Sequence, residues 1–115
     1  MDHVPFDDAE TYNPEPGWAR VALAGSEAFS FEWFEKRPGH ASPMHSHPNE
    51  QVCICIEGEL SVETEHGETA TLGAYDSVRF ESDEPHIVAN QTEEQAIGID
   101  VFAPGRSFDF WLNRL

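Results

Sequence analysis

The stretch His45-Ser46-His47-Pro48-Asn49-Glu50-Gln51, answered by His86 about forty residues later, decides the fold. His45 and His47 are two apart, and on an extended strand such residues point to one face. Gln51 keeps their parity. Three imidazoles and an amide oxygen make a coordination set for one divalent ion, Zn, Ni, Fe or Mn. Glu50 is the rival fourth ligand: it has the right charge, and the right parity if the Pro48-Asn49 bend resets the strand. Ligands so far apart in sequence must be brought together by a closed sheet. His3, His40 and His66 fall in an arm, a loop and a tip, where exposure to solvent is expected.

Around this stretch the chain reads as short strands divided by turn residues. Trp18 to Leu23 alternates in part, and Phe29, Phe31 and Trp33 alternate with Ser30 and Glu32. Arg37-Pro38-Gly39 ends that run. Val52-Cys53-Ile54-Cys55-Ile56 is apolar on both faces, as in a strand covered on both sides. Leu60 to Thr64, Thr69 to Leu72, Asp76 to Phe80, His86 to Asn90 and Ala96 to Phe102 follow as further strands, with a hairpin tip at His66-Gly67. Residues 1–17, with Pro5, Pro14, Pro16 and Gly17, read as an N-terminal arm of extended chain or loops. The tail holds Phe108, Phe110, Trp111 and Leu112 and is expected to cap one barrel end. No stretch has helical periodicity. The pattern predicts an all-β chain: an antiparallel jelly-roll barrel over residues 18–115, in one domain.

The 115 residues carry 22 acidic and 6 basic side chains, a formal charge of −16, and Lys36 is the only lysine. Such a chain is repelled by nucleic acid and by anionic membranes, so neither is expected as a partner. Acid excess with lysine depletion points to a halophile's cytoplasmic protein, because molar salt shortens the Debye length to about 3 Å and screens self-repulsion. The start Met1-Asp2-His3 has neither the basic region nor the apolar run of a signal peptide. Cys53 and Cys55, two apart on one strand, are badly placed to bridge each other and are read as buried reduced thiols.

Taken together, these residues resemble the cupins. Gly39, His45, His47, Gln51 and Gly58 match the first cupin motif at every position, with Gln where Glu is commoner. His86 and Asn90 match the end of the second motif, whose Pro-x-Gly is replaced by Phe80-Glu81-Ser82-Asp83. The run Asp100-Val101-Phe102-Ala103-Pro104-Gly105-Arg106 further resembles the small KdgF-type cupins of pectin and alginate breakdown. Those proteins hold their metal with three His and one Gln, and convert 4,5-unsaturated monouronates to linear keto-uronates. The resemblance implies that Asp100, Phe102 and Arg106 line the site, with a small anionic sugar acid as substrate.

The residues themselves bear on that implication. A carboxylate at Asp100, on a central strand with Phe102 two residues on, is unfavourable unless it is paired or functional. A structural Asp100–Arg106 ion pair is the plain alternative. Arg106 suits a planar carboxylate, because its guanidinium binds one through two hydrogen bonds. In this reading Asp100 moves the proton, Arg106 holds the carboxylate and Phe102 shapes the pocket of an isomerase. An Fe(II) dioxygenase and a non-catalytic sugar-acid-binding protein are the other readings of the same ligands. The apolar outward row Val52, Ile54 and Ile56 leads us to expect a homodimer.

Overall fold

The computed structural model describes residues 1–109. It contains nine strands: β1 (Thr11–Glu15), β2 (Trp18–Ala22), β3 (Ser30–Lys36), β4 (Glu50–Glu57), β5 (Leu60–Thr64), β6 (Thr69–Leu72), β7 (Ser77–Phe80), β8 (His86–Ala89) and β9 (Ala96–Ala103). They form an antiparallel six-stranded sheet, β1-β2-β3-β9-β4-β7, and an antiparallel three-stranded sheet, β6-β5-β8. The two sheets enclose one core of Phe34, Cys53, Cys55, Leu60, Val62, Leu72, Phe80, Val88 and Ala96. This is the all-β barrel the alternation predicts. Both cysteines are free and fully buried.

Two features depart from expectation. The N-terminal arm is not all loop: a single helical turn at Phe6–Asp8 leads into β1, which pairs with β2 and lengthens the large sheet. Pro14 is accommodated because β1 is an edge strand whose register shifts between Tyr12 and Glu15. His40, expected at the surface, is buried, and its Nε2 lies 2.8 Å from Glu15 Oε2 on that added strand. His3 and His66 are exposed as expected. Of the apolar tail, Phe108 packs on Trp18 in a second small cluster; Phe110, Trp111 and Leu112 lie outside the described residues.

A third feature concerns faces, which alternation alone leaves open. On β3 the buried row is Glu32, Phe34 and Lys36, while the aromatics Phe31 and Trp33 sit half-buried on the outside. Arg20 on β2 points inward too, beside Asp100 of β9, which was expected to face the interior. The register places Glu32 opposite Asp100, and Asp100 opposite Cys53. The middle of the barrel is therefore lined by charge.

Candidate metal centre

Histidine geometry is set by backbone. The segment before β4 is not a regular strand; its main chain meets β8 at isolated bridges, Ala41 to Ala89 and His45 to His86, and Ser42 Oγ accepts from Val88 N at 3.0 Å. Paired main-chain bonds between His45 and His86, at 3.1 and 2.9 Å, bring the first and third histidines together. The chain then bends at Pro48-Asn49 and enters β4, so Gln51 projects from the other sheet. The shared direction of His45, His47 and Gln51 thus comes from a crossing between sheets, not from one strand's parity.

One ring nitrogen from each of His45, His47 and His86 lies within 4.8 Å of the others. The opposite nitrogens are all engaged by main-chain carbonyls: His45 Nδ1 with Pro43 O at 2.8 Å, His47 Nδ1 with Asn49 O at 2.9 Å, His86 Nδ1 with Glu84 O at 2.8 Å. A carbonyl oxygen only accepts, so each Nδ1 carries the proton and each neutral ring presents an Nε2 lone pair. Burial, the largest cause in each case, pushes His45 down to about 3 and lowers His47 and His86 as well. The rings are neutral bases, the form that ligates metal. Phe80 stacks on His86 at 4.0 Å, and Phe102 meets His47 edge-on at 5.5 Å, fixing both ring planes.

Two observations fit a metal. His86 Nε2 is buried with no hydrogen-bond partner among the described residues, which is unfavourable for a polar atom unless an ion completes it. His47 Nε2 lies 2.9 Å from Gln51 Oε1. A neutral ring protonated on Nδ1 has no hydrogen to donate there, so two lone pairs face each other. A cation between them removes the conflict. Donors placed tetrahedrally on one such ion lie about 3.3 Å apart, at bond lengths of about 2.0–2.1 Å, so the three rings close in around a bound ion. Glu50 turns outward to Arg79, 2.7 Å away, which leaves Gln51 as the inward donor.

Behind the histidines runs a buried chain of charges. Asp100 Oδ1 accepts from Gln51 Nε2 at 2.9 Å and Oδ2 from Arg20 Nη2 at 2.6 Å. Arg20 Nε donates to Glu32 Oε1 at 2.6 Å. Arg106 donates from Nε to Glu32 Oε2 at 2.8 Å and from Nη2 to Oε1 at 3.2 Å, with its plane 3.6 Å over the Phe102 ring. Burial by itself would raise the Asp100 pKa; the Arg20 guanidinium outweighs it and holds the group below its ordinary value. Asp100, Arg106, Gln51 and His45 share one small cavity, while Phe102 lies edge-on to His47 and under the Arg106 guanidinium. The expected alternative pairing differs in detail: Asp100 pairs with Arg20, and Arg106 with Glu32. The sequence did not mark Arg20, Glu32 and Lys36 as interior site residues. Their signal was scarcity, since few of the chain's residues are basic and these two cations lie on strands.

The Cupin domain profile matches residues 32–102, well over half the chain. The chain is a cupin. Several solved structures resemble it over nearly the whole chain. An RmlC-like cupin from Shewanella frigidimarina NCIMB 400 superposes with a TM-score of 0.83 at 24% identity, over 96% of each chain. KdgF from Halomonas sp. gives 0.83 at 24% identity, over 95% of this cupin and 99% of that chain. Ectoine synthase from P. lautus gives 0.85 at 17% identity, over 99% and 86%. At these identities the likeness is one of fold. In this cupin the turn replacing the second motif's Pro-x-Gly still forms: Asp83 takes a left-handed φ of 62°, and its N–H donates to His47 O at 2.8 Å.

Proposed function

We propose that this cupin is a metal-dependent isomerase that opens 4,5-unsaturated monouronates to linear keto-uronates, with His45, His47, Gln51 and His86 as metal ligands. The observation that carries the reading is the pairing of a wholly neutral ligand set with a cation-rich barrel interior in a strongly acidic protein. The likeness to a KdgF structure and the Asp100-to-Arg106 run support the same substrate class. A divalent ion held by neutral ligands keeps its full charge and supplies Lewis acidity toward substrate oxygens. Asp100, ionised at neutral pH, accepts and returns the proton that moves as enol becomes ketone. It also orients Gln51. Phe102 packs edge-on against His47, and Arg106 adds positive charge over the Phe102 ring.

The test is turnover of an unsaturated monouronate, followed by loss of its ring-enol absorbance, on protein of measured metal content. Activity with redox-inert zinc supports the isomerase. Oxygen consumption only with Fe(II) moves the assignment to a dioxygenase, and uronate binding without turnover moves it to a sugar-acid-binding protein.

We also propose a homodimer built on the outer face of the large sheet. Register aligns Phe31, Val101 and Val52 in one row and Trp33, Ile99 and Ile54 in the next. Two adjoining apolar rows on one outer face suit an interface with a second copy. Light scattering of the purified protein reads twice the 12.9 kDa chain mass if this holds.

A further inference from the structure

Lys36 has no structural task that explains its burial. It is 1% exposed on the inward face of β3. Its Nζ stands 3.9 Å from the centroid of the Trp18 ring, and among the described residues it has no hydrogen-bond acceptor. A lone buried amine is unfavourable, and a ring face compensates only in part. Neither Arg20 nor Arg106 resembles it, since both donate to interior carboxylates. Burial, reinforced by the Arg20 charge, lowers Lys36 to about 7.

The surroundings call for an anion. Lys36 lines the cavity that also touches His45, Gln51, Asp100 and Arg106. That cavity measures about 20 Å³, room for roughly one or two water molecules, or for one carboxylate group. Three interior cations, Arg20, Lys36 and Arg106, face two interior carboxylates, Glu32 and Asp100. The chain has only 6 basic residues and a charge of −16, so half its cations are enclosed in the barrel. The groups facing Lys36 are Arg20 from β2, Asp100 from β9, Cys53 from β4 and Glu15 from β1, with His40 just past β3.

We infer that Lys36 is a binding residue: its ammonium receives the carboxylate of the ligand inside the barrel, in the cavity that His45, Gln51 and Asp100 also line. This rests on the sugar-acid reading for the identity of the whole ligand, though not for the carboxylate chemistry. Arg106, whose Nε and Nη2 already hold Glu32, then shapes the site without being its carboxylate anchor. Arrival of an anion favours the charged amine, so at a pH about one unit above its own pKa Lys36 takes up a proton on binding.

The experiment is calorimetry of zinc-loaded protein at about pH 8 in two buffers of different ionisation enthalpy. The probes are acetate, galacturonate (a saturated, unreactive uronate) and methyl galactoside, which has no carboxylate. Wild-type protein should bind the two carboxylates with proton uptake and ignore the galactoside. Lys36→Met should keep the zinc, melt no lower than wild type, abolish the uptake and weaken binding roughly 10–100-fold, the range for a hydrogen bond to a charged group. If Lys36→Met binds galacturonate as wild type does, the inference fails and the sugar-acid reading stands. If acetate binds with Lys36-dependent uptake and galacturonate does not bind, Lys36 stands and the sugar-acid reading fails. Carboxylate binding to wild type without proton uptake, or no carboxylate binding at all, overturns the inference whatever the variant does.

Discussion

Asp100 Oδ1 accepts the side-chain N–H of Gln51 at 2.9 Å, and this one bond decides which end of the Gln51 amide faces the histidines. A carboxylate cannot donate, so the nitrogen must turn to Asp100 and the oxygen to the metal position. Outer partners of this kind orient ligands and tune affinity.

Asp100→Asn should therefore weaken metal binding about 10–100-fold. The new amide presents N–H to either Arg20 or Gln51, and both are donors there. Turnover of an unsaturated uronate should fall further, by roughly 10²–10⁴-fold, through loss of the proton carrier. Chelator competition and rate assays separate the two effects. Unchanged metal affinity would show that Gln51 needs no support. Gln51→Ala should lower affinity more than Glu50→Ala, because Glu50 faces Arg79.

Metal-free protein should lose stability steadily as pH falls from 7 to 4. The His45 ring is held at about 3 against an ordinary 6.5, so between those values the unfolded chain binds a proton that the folded chain refuses. Stability then rises with pH across that window. His47 and His86, also lowered, act in the same sense. Asp100 adds its share lower down: its folded pKa is below the ordinary 3.8, so its contribution is present above 3.8 and is lost as pH falls through the folded value. Thermal melts of the apoprotein from pH 7 to 4 check this, and a flat profile contradicts it.

At Asp83, φ is 62°. Asp tolerates the left-handed region, Gly favours it and a β-branched residue does not. Asp83→Gly should change stability by less than about 1 kcal/mol, whereas Asp83→Val should lose about 1–2 kcal/mol. Denaturant melts measure both. Equal losses would place the importance of this turn in the Asp side chain and not in the backbone angle.

Arg20 joins Glu32 and Asp100 inside the barrel. Arg20→Met leaves buried Asp100 without its paired cation, while Glu32 keeps Arg106, and should cost about 3–5 kcal/mol, the range for removing one partner of a buried pair. A loss below about 1 kcal/mol would mean that Arg106 alone neutralises them.

The strands were legible because turn residues separate short alternating runs, and the histidines because His45, His47 and His86 carry a spacing that few structural histidines share. Pattern reading stopped at β3. Its aromatics Phe31 and Trp33 form the apolar row a reader notices, yet they face outward, and Glu32 and Lys36 face in. Alternation marks two faces without saying which is buried. Here the choice is made by partners 12 and 80 residues from Arg20, and ion pairs across such separations leave no local trace. The burial of His40 was hidden for the same reason: it depends on Glu15, in a proline-containing segment that reads as loop but closes the sheet edge.

Enclosing Arg20, Lys36 and Arg106 strips the outer surface of half the chain's positive charge. Among the described residues only Arg37 and Arg79 remain exposed cations. An anionic ligand must therefore cross a repulsive field to reach an attractive interior. At low ionic strength that field slows encounter; at molar salt it reaches only about 3 Å and the approach becomes open. The association rate of an anion should rise with salt while that of a neutral analogue stays level, the reverse of the usual steering pattern. Where this cupin works, the solvent would decide how fast its barrel is found.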